Sequence, residues 1–234
     1  MAYTITTDDV LNRVSTLLQD VERIRWTKEM LSGFFNDGQK EIVRIKPDAN
    51  VIEGTAQLAK GVIQSLPEGG VQLFDVVSNI DDSGNQGKTV RLVDKRHMDS
   101  ENPGWPLDPP SSTVTHYMFN EVNPRKFYVY PPQPETDRGL LSIVYYAVPA
   151  DVAPVSGDDN PSYTDSSLDP VYMNPLIDFI MSRAYAIDAD FAANASLGRY
   201  YYNNFLSALK TADLREKSED PNILNPVKSQ SLIM

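Results

Sequence analysis

Histidine is the side chain that most readily exchanges a proton near neutral pH. This 234-residue chain has two, His97 and His116, and no cysteine. His116 lies in Thr115-His116-Tyr117-Met118, a strand-like run. His97 lies in Asp94-Lys95-Arg96-His97-Met98-Asp99, at a strand end beside acids and bases. A Ser–His–Asp triad needs a positioned serine and a buried acid, and the sequence holds no Gly-x-Ser-x-Gly elbow. Both histidines are therefore expected to be solvated or sheet-face residues. Glycoside hydrolysis needs two carboxylates across a cleft. The adjacent pairs Asp81-Asp82 and Asp158-Asp159 each stand in a Gly/Ser/Asn turn, where aspartate ordinarily serves the turn itself. The run from Asp158 to Asp165 is a weak match to a calcium loop. It carries Pro161 at the fourth position and Tyr163 at the sixth, and has no glutamate at the twelfth. Phosphate-loop and dinucleotide glycine motifs are absent. Without cysteine there is no disulfide, thiolate zinc site, iron–sulfur cluster or thiol nucleophile. No catalytic residue, metal or cofactor is expected.

Aromatic clusters are the remaining chemistry. Phe127-Tyr128-Val129-Tyr130 and Tyr145-Tyr146 could stack sugars or bases. Packing across strands, at ~0.2–1 kcal/mol per aromatic pair, is the preferred expectation. Tyr200, Tyr201 and Tyr202 are consecutive in a helical run, and successive helical residues point about 100° apart. At least one must leave the core, which makes the three candidates for a subunit interface.

The elements that position these residues fall into three blocks. Thr6 with Asp9 fits a capping box, and Val10, Val14, Leu17, Leu18, Val21 and Ile24 follow at helical spacing. Thr27 can cap a second helix, with Trp26 and Leu31 at the positions of a hydrophobic staple. Pro47 stops it, and Gly38 weakens its interior and admits a kink. From Pro47 to Leu168 lie 13 of the 17 prolines. Among them stand strand-like runs at Val71–Val77, Thr89–Val93, Val114–Phe119, Lys126–Tyr130 and Leu140–Val148. Helices resume at Asp169-Pro170, a cap with a first-turn proline. One buries Leu176, Ile177, Ile180, Met181, Ala184, Ile187 and Phe191. The next buries Leu197, Tyr201, Phe205, Ala208, Leu209 and Ala212 and ends at Pro221. The expected fold is α+β: an antiparallel four-helix core from residues 1–46 and 169–220, a small antiparallel β-sheet or sandwich inserted over 47–168, and an extended C-terminal tail, 221–234.

Acidic residues number 32 against 21 basic, a net charge of −11. Residues 47–168 carry −9 of it. This argues against a groove that grips nucleic-acid phosphates. No basic N-terminal region precedes an apolar run, and no apolar run approaches the ~18 residues of a membrane helix. The expectation is a soluble protein made in the cytoplasm, with no membrane partner.

The ordered set of elements resembles the head-to-tail adaptor family of tailed bacteriophages, the head-completion or tail-tube-A-like connectors. The residues that carry the likeness open with Trp26-Thr27-Lys28-Glu29-Met30-Leu31, Phe35-Asn36-Asp37-Gly38-Gln39 and Glu41-Ile42-Val43. They continue through Lys46-Pro47-Asp48-Ala49 and Gly87-Lys88-Thr89-Val90-Arg91. Phe127-Tyr128-Val129-Tyr130-Pro131-Pro132, Val144-Tyr145-Tyr146-Ala147-Val148-Pro149, Ala184-Tyr185-Ala186 and Arg199-Tyr200-Tyr201 complete the set. The resemblance spans residues 8 to 215 and implies a structural virion protein with no enzymatic activity. It implies a dodecameric ring of copies between portal protein and tail nozzle or tail tube. DNA would pass during packaging and ejection without specific binding. It also implies a C-terminal segment that docks on the portal, with Ile223, Leu224, Val227, Leu232, Ile233 and Met234 as candidate anchors. An acidic or neutral channel lining would repel the duplex instead of holding it. Two alternatives stand beside it. One is a receptor- or carbohydrate-contacting virion module using the β insertion and an exposed Trp105 loop. The other is an acid-pair hydrolase.

Overall fold

The computed structural model describes residues 6–81, 83–155, 161–187 and 192–219. The chain divides into two compact units, Met1–Lys46 with Pro149–Met234, and Pro47–Val148.

In the first unit, α1 (Thr7–Leu17) starts where the Thr6 side chain accepts a hydrogen bond from the Asp9 backbone N–H. It ends earlier than the apolar spacing predicts, and Val21 and Ile24 are exposed. The reason is Asp20, whose carboxylate accepts from the backbone N–H groups of Ile24, Arg25 and Trp26 at 2.7–2.9 Å. A side chain that satisfies these donors offers the backbone an alternative to another helical turn. Helix α2 (Lys28–Ile45) is capped by Thr27, which accepts from the Met30 N–H, and Trp26 and Leu31 are both buried. It runs through Gly38 unbroken. A Cβ there would stand 3.0 Å from Phe179 Cδ1 and 3.2 Å from Leu176 Cδ2, so the glycine serves close packing. Helices α4 (Met173–Ile187) and α5 (Ala192–Glu219) complete the unit, α4 following a turn capped by Asp169. The segment before α4 is held by the buried side chain of Gln39. Its Nε2 donates to the Ala150 carbonyl, and its Oε1 accepts from Ser166.

The expected antiparallel four-helix core is not supported. The helices gather around α4, which packs against α1, α2 and α5. Nine residues of α4 are buried, too many for a single apolar stripe. A helix buried on most sides acts as a hub for its neighbours.

The second unit holds two four-stranded sheets. Strands β1 (Val51–Gln57), β8 (Leu140–Ala147), β3 (Gly70–Ile80) and β4 (Gln86–Thr89) form one in that order, all antiparallel. Strands β2 (Gly61–Ser65), β7 (Lys126–Gln133), β6 (His116–Phe119) and β5 (Arg91–Leu92) form the other. Its β5–β6 pair is parallel, so the region is not wholly antiparallel. Val90 alone separates β4 from β5, while α3 (Lys95–Glu101) and the following loop turn the chain back before β6. Residues of both sheets share one core. Leu141, Ile143, Tyr145 and Ala147 alternate inward along β8 toward Phe127, Val129, Tyr117, Leu73 and Val76.

Candidate functional site: the α4–α5 groove and its tyrosines

The α4–α5 contact is close because small residues line it. A Cβ on Gly198 would lie 3.3 Å from the Ser182 carbonyl oxygen, and Phe179 meets Phe205 edge-on at 5.3 Å. Beside this contact lies an open groove of about 480 Å³, lined by Ser182, Arg183, Ala186, Ala195, Gly198, Arg199, Tyr202 and Asn203. Its floor is apolar, and Arg183 and Arg199 stand at its walls. Arg183 also lies 5.0 Å above the Phe179 ring, a cation–π distance.

The three consecutive tyrosines separate around α5 as helical geometry requires. Tyr200 is 58% exposed. Tyr201 is half-buried and stacks on Tyr185, ring centroids 5.7 Å apart and nearly coplanar in orientation. Burial, with the neighbouring Tyr185 and Asp178, raises the Tyr201 phenol above its ordinary range, and burial raises the Asp178 carboxyl. Tyr202 turns to the other side, where its ring lies 5.8 Å from Phe205. Its hydroxyl shares Glu41 with Arg44 on α2. The Arg44 guanidinium, through two hydrogen bonds of 2.5 and 2.7 Å, is the main reason Glu41 sits below the usual carboxylate range.

The other sequence candidates are dispersed. His97 on α3 faces Glu101 at 3.3 Å and is exposed. His116 on β6 contacts Thr115 Oγ1 at 3.0 Å and the Tyr130 ring at 6.0 Å. Asp81 accepts from the Ser83 and Asn85 backbone N–H groups, so it belongs to its turn. Among the described residues no three histidine, aspartate or glutamate side chains gather as a metal site, and no helix is long and apolar enough to cross a membrane. Trp105 corrects an expectation. It is 3% exposed, its Nε1–H donates to Asp99 at 2.9 Å, and its ring meets Tyr128 edge-on. A ring so enclosed has no free face for a sugar. The strand aromatics pack instead: Phe127 is buried, Tyr130 donates to Asp108, and Tyr146 lies 5.6 Å from Phe74. Asp82, Asp158, Asp159 and the anchors Ile223, Leu224, Val227, Leu232, Ile233 and Met234 lie outside the described residues.

A family model described as SU10 adaptor protein matches residues 5–227, nearly the whole chain. The chain belongs to the SU10 adaptor protein family. This is a phage head-to-tail adaptor family, so the adaptor is a structural virion protein by class. No curated protein matches it. The spacing of the adaptor's three tyrosines is legible in the sequence, but the groove is not. Its floor residues Ala186, Ala195 and Gly198 have no polar atoms in their side chains, and only the helix crossing brings them together.

Proposed function

We propose that this adaptor forms a closed ring of twelve copies that joins the portal to the tail nozzle or tail tube. DNA passes through it without sequence-specific contacts. The match over residues 5–227 carries the proposal. Within it, the helical residues 1–46 and 169–220 act as the packing core, 47–168 as an insertion whose named strands all lie in the 47–148 unit, and 221–234 as the portal-docking tail. A ring needs two different contact faces on each subunit. Tyr200, with Tyr201 and the groove-lining Tyr202, is assigned to one of them, supported by the 58% exposure of Tyr200 on its helix. Catalysis is no part of this reading, and the protein resides in the virion at the head–tail junction after synthesis in the host cytoplasm.

Electron microscopy of the adaptor mixed with its portal tests the proposal, with rings on the portal as the expected result. Particles carrying no added density at a saturating excess of adaptor would overturn it. Deleting residues 221–234 is expected to abolish attachment while the thermal transition is retained. Tyr200→Ala should weaken ring formation and leave monomer stability within ~0.5 kcal/mol, as for other exposed substitutions. The receptor- or carbohydrate-contacting alternative loses its main anchor with the burial of Trp105.

A further inference from the structure

The β-rich unit is acidic, yet two of its cations stand together without an acid. As the chain passes from β4 to β5, Lys88, Thr89 and Arg91 line one side of a hollow of about 440 Å³, and Val114, Thr115 and His116 line the other. None of these six lining residues is acidic. Elsewhere in the unit, Lys95 pairs with Asp99, Arg96 with Glu121 and Lys60 with Glu135, while Arg125, Lys126 and Arg138 have no ion pair among the described residues and do not line this hollow. Lys88 and Arg91 have no ion-pair partner among the described residues.

The hollow is built, not incidental. Asn79, 9% exposed on β3, clamps its two sides. Its Nδ2 donates to the Lys88 carbonyl at 2.9 Å and to the Val114 carbonyl at 2.8 Å, while its Oδ1 accepts from the Val114 N–H at 2.8 Å. The Arg91 N–H donates to the Thr115 carbonyl at 3.0 Å, which sets Arg91 opposite His116 in the β5–β6 register. The groups facing His116 are Arg91 from β5, the Thr115 hydroxyl and the Tyr130 ring from β7. Burial and the Arg91 charge hold the imidazole below its ordinary range. Two cations lining one hollow with no acid beside them favour an anion there.

We propose that Lys88, Arg91, Thr89 and His116 form a binding site for a phosphate group. Lysine supplies a point charge and arginine a planar fork of donors, the pairing that suits phosphate oxygens. The Thr89 hydroxyl adds a donor from another direction, and an anion in the hollow favours a proton on the second His116 nitrogen, which then donates as well. Such a spread of donors fits a tetrahedral oxyanion better than a planar carboxylate. The phosphate comes from either free inorganic phosphate or the backbone of DNA. Two fixed cations are too few to hold a duplex tightly, so a DNA contact here is weak and independent of sequence. The proposal does not depend on ring formation.

The test is nuclear magnetic resonance of the full chain titrated with inorganic phosphate, with chloride at matched ionic strength as control. The expected result is a saturable shift of the His116 ring resonances with phosphate and none with chloride. Lys88→Ala and Arg91→Ala should each weaken it about tenfold, the loss of one charge-assisted hydrogen bond. Both residues are exposed, so these variants fold. In a second arm a short DNA duplex competes with phosphate. Competition whose logarithm falls with log salt at a slope of about −1 assigns the phosphate to DNA, because each neutralised phosphate contributes about −0.9. Phosphate binding without competition assigns it to the free ion. No saturable phosphate response, or one unchanged in both variants, overturns the proposal. So does a shift that appears on raising protein concentration without phosphate and vanishes in Lys88→Ala, since a carboxylate of a second copy would then fill the hollow.

Discussion

Asn79 makes three hydrogen bonds to backbone groups of two separate segments, and its removal is the sharpest test of how the β-rich unit is held. In Asn79→Ala the Val114 N–H and Val114 carbonyl lose their buried partner, and the Lys88 carbonyl loses a partly buried one. A buried polar group left unsatisfied costs roughly 1–3 kcal/mol. Two such groups and one partly buried group give an expected loss of about 3–5 kcal/mol, a large share of the ~5–15 kcal/mol that a domain holds. Asn79→Asp keeps the acceptor for the Val114 N–H but turns a carboxylate oxygen toward two carbonyls. It should therefore be at least as damaging as alanine at pH 7, and less so in acid, where a protonated carboxyl donates once. The chain supplies its own reporter, since Trp105 is buried in the β-rich unit and Trp26 in the helical one. Urea unfolding followed by Trp105 fluorescence in a Trp26→Phe background isolates the transition of interest. A loss below about 1 kcal/mol for Asn79→Ala, or an aspartate variant more stable than alanine at pH 7, would refute the clamp.

Three further outcomes follow from particular contacts. Gly38→Ala gains about 1 kcal/mol of helix propensity but places a methyl 3.0 Å from Phe179, and overpacking costs about 1–3 kcal/mol. A net loss in the Trp26-monitored transition is expected, and a gain would show that α2 and α4 can part freely. Asp20 is held below the ordinary carboxylate range, first by its hydrogen bond from Trp26. A depressed folded-state value means that its stabilisation is complete above the unfolded-state range and is lost as pH falls through the lower folded one. An acid titration of the helical unit should lose this component in Asp20→Asn, and identical curves would count against it. Trp105→Phe removes the donor to Asp99, with an expected cost of about 1 kcal/mol to the β-rich unit, read by circular dichroism in urea because the variant lacks that unit's tryptophan, and no effect on the Trp26-monitored transition.

Local chemistry was legible where one side chain meets its own neighbours. Thr6 and Thr27 mark helix starts because each hydroxyl satisfies an N–H three residues ahead. The alternation of Leu141, Ile143 and Tyr145 marks β8 because one face of that strand is buried. Strand β1 was not legible. In Val51-Ile52-Glu53-Gly54-Thr55-Ala56-Gln57 the strand formers Val51, Ile52 and Thr55 are interrupted by Glu53, Gly54, Ala56 and Gln57, and the segment is extended because β8 pairs with it along its whole length. Helix α3 was hidden because Asp94, its cap, looked like one more charge in a charged run. The overrun of α1 has the opposite origin: the apolar spacing through Ile24 was real, but Asp20 drew three backbone donors to itself.

By itself, the sequence determined the α+β class, the acidic middle, the capped helix starts and the likeness to phage adaptors. All of these depend on composition, spacing or contacts within a few residues. Tertiary structure alone decided that Trp105 is enclosed, that Gly38 is needed for close packing, and that Lys88, Arg91 and His116 share one hollow. Those properties belong to distances between segments far apart in the chain. They are set by which faces must be buried and by buried groups such as Asn79 that must find partners.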